Sequence, residues 1–202
     1  MLSSKLAGAA LVALLFLRPA GAADLSPNPA STHEPSTYEP LGSFVSGWEI
    51  RAGGFASTWG PEKGDPNINA EIVTPKPFHI QGWADYLIPH LQLGGTANIG
   101  GGTSYLYAGP MWSVSYDKIF ADFALGGAIH DGQIQGHYTN PHLNKLGCRE
   151  LYHVSWDLGY RLTENWSVMA TFDHISNGSG TLSNCGANQA ISILGARLGY
   201  RF

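Results

Sequence analysis

Charge is scarce in this chain of 202 residues: only 13% are Asp, Glu, Lys or Arg, and acids outnumber bases by 15 to 11. With no basic surplus to meet a phosphate backbone, nucleic acid is excluded as a partner. Long apolar runs are also missing. The apolar stretch Leu6 to Leu17 has twelve residues, short of the roughly 20 that a helix needs to cross a bilayer. Helical membrane spans are therefore excluded. Cysteine is limited to Cys148 and Cys185. Neither has a CxxC partner or a base at motif spacing, so thiol catalysis is not expected and no metal site is indicated.

The ends of the chain carry more information. Lys5, the apolar run Leu6 to Leu17 and the box Ala20-Gly21-Ala22 read as a secretory signal peptide over residues 1–22. Its removal leaves nine basic and fifteen acidic residues, a formal charge of −6. Residues 23–43 contain Pro27, Pro29, Pro35 and Pro40 among Ser, Thr and Asn with no period, and are expected to be a flexible N-terminal segment. Export places both cysteines in an oxidising compartment, which favours a Cys148–Cys185 disulfide stapling two loops.

From residue 44 to 202 the composition is that of a lightly charged, turn-rich all-β protein, with 26 glycines and 11% aromatics in the chain. Alternation of apolar and polar residues recurs in segments of about ten, the mark of barrel strands. Eight segments follow: about 47–57, 68–73, 87–99, 104–116, 119–129, 149–162, 166–176 and about 188–202. The expected fold is an eight-stranded antiparallel transmembrane β-barrel of the outer membrane. In the sixth segment Tyr152, Val154, Trp156, Leu158 and Tyr160 face one way, and His153, Ser155, Asp157 and Arg161 the other. The apolar face suits lipid. Asp157, Arg161, Arg197, Arg201, Glu49, Arg51 and Asp122 are expected to pair in the lumen. With a periplasmic N-terminus, both cysteines fall at the extracellular rim.

The seventh segment, Trp166 to Ser176, sets His174 and Ser176 on the same face as Trp166, Val168, Ala170 and Phe172. A polar pair at the top of a lipid-facing stripe near the outer leaflet needs a reason. Matching like faces across the loop 177–187 sets Asn188 opposite Ser176, so Ser176, His174 and Asn188 form a candidate nucleophile, base and orienting group. Asp173 points to the opposite face.

Phe172-Asp173-His174-Ile175-Ser176-Asn177, with Asn184, Gly186 and the terminal Gly-Tyr-Arg-Phe, resembles the lipid A 3-O-deacylase family of outer-membrane barrels. Gly126-Gly127-Ala128-Ile129-His130-Asp131-Gly132 and Thr103-Ser104-Tyr105-Leu106-Tyr107-Ala108-Gly109 are similar to it as well. The resemblance implies a serine esterase that removes the ester-linked acyl chain at the 3-position of lipid A, with Ser176 as nucleophile and His174 as general base. It also implies Asn177 and the backbone of Gly178 as oxyanion donors, and His130 as a supporting residue that is equally well structural. The family usually has a glutamate twelve residues after the serine; here that residue is Asn188, whose amide orients the imidazole without offsetting its charge. No cofactor is implied. The implied partners are lipid A in lipopolysaccharide and the outer membrane, with a homodimer as an admissible assembly. Two rivals share the fold signals: a non-catalytic barrel with a structural or adhesive role, and a lipid A palmitoyltransferase, whose site would sit near the lumen.

Overall fold

The computed structural model describes residues 47–178 and 185–202; the expected signal peptide and N-terminal segment lie outside them. Eight long strands, β1 (Glu49–Ser57), β2 (Pro66–Val73), β3 (His90–Asn98), β4 (Tyr105–Tyr116), β5 (Ile119–His130), β8 (Glu150–Arg161), β9 (Trp166–Ser176) and β10 (Ile191–Arg201), close into one barrel. The order around it is β1-β10-β9-β8-β5-β4-β3-β2, and each neighbouring pair is antiparallel. Two short strands, β6 (Gln133–Ile134) and β7 (Lys145–Gly147), pair in parallel within the loop between β5 and β8. Closure removes every long edge, so no row of backbone donors is left open to lipid.

Side-chain alternation decides what each surface is. Leu158, Leu93 and Trp156, at 63%, 60% and 50% exposure, would be core in a soluble sandwich; here they form an apolar outer belt, as a bilayer requires. Trp112, Phe123, Trp156 and Phe172 pack ring to ring in one row across four strands, the first pair stacked and the next two tilted. At the end away from the cysteines, Trp166, Tyr200 and Phe202 pack edge to face as part of an aromatic girdle.

The lumen is filled with side chains and layered. Arg51 Nε bonds Glu49 at 2.7 Å, and its Nη atoms reach Asp122 at 2.8 Å, Asp157 at 3.1 Å and Glu71 at 3.4 Å. Arg197 pairs with Glu71, Asp157 and Asp173 at 3.2–3.4 Å. Glu71 and Asp173 thus join the expected network. Nearer the end of the barrel away from the cysteines, Arg161 donates to Ser115 Oγ and Arg201 to the Glu164 carbonyl. Toward the cysteines an apolar layer that includes Phe55, Leu146, Leu151, Ile175, Ile191 and Ile193 closes the lumen; a second, around Val73, Met111, Phe120 and Met169, lies on the other side of the charges.

Two strands start three residues later than the sequence expectation. β3 begins at His90 because Trp83–Leu87 forms a 3-10 helix, held by Lys76 Nζ to Asp85 Oδ2 at 2.8 Å and by Trp112 Nε1 donating to the Leu87 carbonyl. β10 begins at Ile191, after Ala190 takes a left-handed φ of 51° that breaks the extended run. Asn188 therefore lies in a loop.

Candidate active site

β9 brings His174 and Ser176 to the outer surface, half-buried, with Asp173, Ile175 and Asn177 inside. His174 stands opposite Val154 on β8 and Ser192 on β10; Ser176 stands opposite Tyr152. His174 Nδ1 lies 2.8 Å from Ser192 Oγ, and its ring stacks on Phe172 with centroids 6.4 Å apart. Ser192 is itself anchored, since its carbonyl accepts from both Thr58 N and Thr58 Oγ1. With Nδ1 turned to Ser192, the free Nε2 is the nitrogen left for proton transfer. Among the described residues no hydrogen bond joins His174 to Ser176; such bonds commonly tighten only with substrate bound.

The expected third member is corrected by the register. Paired residues of β9 and β10 run from Ile175↔Ile191 to Trp166↔Tyr200, so Asn188 falls three residues before the ladder starts. Its Oδ1 accepts the Asn177 backbone N–H at 3.2 Å, a loop contact. The group on the imidazole is Ser192. Its signal was present in the chain: Ser192 heads the outward stripe Leu194, Ala196, Leu198, Tyr200 as its single polar member.

Asn177 is corrected too. Its side chain is buried, and Nδ2 donates to the Leu146 and Ala187 carbonyls, both at 3.0 Å. An amide with both N–H groups on loop carbonyls and facing inward is not aimed at an ester in lipid. Gly178, with φ at 66°, turns the backbone just beyond Ser176. His130 also points inward: Nε2 is 2.6 Å from the Cys148 carbonyl and Nδ1 accepts from Gly132 N at 3.0 Å. That fixes its tautomer and makes it a tie between β5 and the rim. Asp173 sits in the lumen, bound by Tyr105 Oη at 2.8 Å and His153 Nε2 at 3.1 Å.

Cys148 and Cys185 form a disulfide with Cα atoms 5.2 Å apart, joining the β5–β8 loop to the β9–β10 loop. The loops approach closely there. Gly147 has φ at 84°, and a Cβ on it would lie 2.4 Å from the Ala187 carbonyl oxygen, a position open only to glycine. Next to this staple the outer wall holds a pocket of about 530 Å³.

A family model described as Lipid A 3-O-deacylase (PagL) matches residues 70–201. No curated protein matches the chain. A solved structure, "Crystal structure of the outer membrane enzyme PagL", is similar in fold, with a TM-score of 0.58 and 17% identity over 76% of this chain and 99% of that one.

Proposed function

The chain belongs to the lipid A 3-O-deacylase family, and on that premise we propose that it is a serine esterase whose Ser176 and His174 release the 3-hydroxyacyl chain at the 3-position of lipid A in the outer leaflet. The observation that carries this reading is the 2.8 Å contact from His174 Nδ1 to Ser192 Oγ, on the lipid-facing wall beside Ser176. Nδ1–H donates to Ser192, so Nε2 is unprotonated and takes the Ser176 proton as the hydroxyl attacks the ester carbonyl. The backbone N–H of Gly178 supports the developing oxyanion. His174 then passes its proton to the sugar oxygen, and water attacks the acyl-enzyme with His174 again as base to free the fatty acid.

Placement on the outside of the barrel suits this substrate. Lipid A presents its acyl chains in the leaflet itself, so a site facing lipid meets the ester without drawing it into the lumen. Ser192, being neutral, orients the imidazole and leaves the charge of the protonated ring unopposed.

Mass spectrometry of lipid A before and after incubation with purified protein tests the reading. The wild-type protein is expected to remove one 3-hydroxyacyl chain, and Ser176→Ala and His174→Ala to remove none, a loss of at least about 10³-fold, while both variants keep heat-modifiable migration. Full turnover by Ser176→Ala would assign the chemistry to another residue.

A further inference from the structure

The pocket beside Ser176 has a direction. Gly127, Tyr152 and Ser176 occupy one row across β5, β8 and β9. The pocket starts at that row and rises toward Arg149, Glu150 and the Cys148–Cys185 disulfide, away from the apolar belt. An acyl chain whose carbonyl lies at Ser176 runs the other way, past Phe172 and down the outward stripe of β9. What extends rimward from the ester is the group that carries it, a sugar.

The lining matches that assignment. Gly127 leaves the wall open: a Cβ there would meet only the Leu151 carbonyl oxygen, at 4.0 Å. Arg149 is exposed at the mouth, and one arm is fixed by Nη1 donating to the His130 carbonyl at 2.6 Å. The rest of its planar fork remains to pair an anion in two-point fashion. Glu150, on the same edge, is a carboxylate with the capacity to accept from sugar hydroxyls and amide N–H groups. The disulfide and the His130 tie to Cys148 hold this wall in place before substrate arrives, which reduces the entropy lost on binding.

We infer that this pocket is a headgroup subsite for a phosphorylated glucosamine and that Arg149 pairs the phosphate; the inference rests on Ser176 being the nucleophile that defines the ester position. Binding to detergent-solubilised Ser176→Ala protein tests it without turnover, with bisphosphorylated lipid A and its enzymatically dephosphorylated form as probes. The phosphorylated probe is expected to bind about tenfold tighter, the size of one charge-assisted contact. In the same background Arg149→Gln is expected to abolish that preference and Arg149→Lys to keep part of it. Gly127→Leu, which fills the pocket, is expected to weaken both probes. Heat-modifiable migration checks that each variant is folded. A preference for phosphate that survives Arg149→Gln, or no preference in the starting protein, overturns the inference. Because the readout is binding, it fails separately from the esterase reading, which stands or falls on the mass spectra.

Discussion

His174 and Ser192 face each other across β9 and β10, with Nδ1 and Oγ 2.8 Å apart on the lipid side of the wall. A hydroxyl in this place holds the ring but leaves imidazolium charge uncompensated, and that combination sets the first expectation. Ser192→Ala should lower kcat about tenfold, the worth of one orienting hydrogen bond. Ser192→Glu, which sets a carboxylate at the same nitrogen, should raise kcat severalfold. Asn188→Ala should leave kcat unchanged, since Asn188 bonds the loop backbone. Deacylation rates on lipid A separate these; loss of activity in Asn188→Ala with none in Ser192→Ala would restore Asn188 as the third member.

The disulfide closes 37 residues of chain, for which loop-closure entropy corresponds to about 4 kcal/mol. Replacing both cysteines with serine should lower the temperature at which the barrel loses its compact gel migration. In the unreduced, denatured wild-type protein, a maleimide should label neither cysteine. Labelling of both would show that the staple does not form.

Arg197 is buried against Glu71, Asp157 and Asp173. Its removal leaves Glu71 and Asp157 with Arg51 as their arginine partner and Asp173 with Tyr105 and His153, three acids short of one buried cation in a closed lumen, so Arg197→Met should destabilise the barrel by about 3–5 kcal/mol. Urea titration in lipid vesicles measures this. A change below 1 kcal/mol, on the order of an exposed pair, would mean that water enters the lumen and screens the network.

At the end away from the cysteines, the Lys76 ammonium bonded to Asp85, aided by the Ile80 backbone N–H, holds the Asp85 carboxyl down at about 2. A depressed carboxylate contributes stability above its unfolded value of 3.8 and loses it as pH falls through the folded value. The loop 74–89 should therefore keep its fold as pH drops to 4 and loosen between roughly 4 and 2. Lys76→Met should move that transition toward the ordinary carboxylate range. An Asp85 side-chain NMR titration reads both; an identical midpoint in the two proteins would show that Lys76 is not the cause.

Much of the architecture is written in period-two alternation, because in a barrel each residue is either in lipid or in the lumen, with no third environment. Trp156 and Leu158 outside, Asp157 between them inside, His174 and Ser176 together on the outer face and Asp173 behind them all follow from parity. The disulfide follows from export together with the position of the two cysteines in neighbouring loops. Parity does not determine offset. Sliding β10 by two residues against β9 keeps every apolar side chain in lipid, so Asn188 and Ser192 are equally compatible with the pattern. The choice between them depends on how the 177–190 loop is spent, and Ala190, in a left-handed conformation that no propensity demands, delays the strand to Ile191. The same holds for Asn177, whose amide is claimed by a carbonyl of its own loop and by one of the β5–β8 loop, and for Glu71, which meets Arg51 and Arg197 only once β1, β2 and β10 have closed side by side. Faces are a local property of the chain; partners across a face depend on loop length and closure, which are settled only when the whole barrel forms.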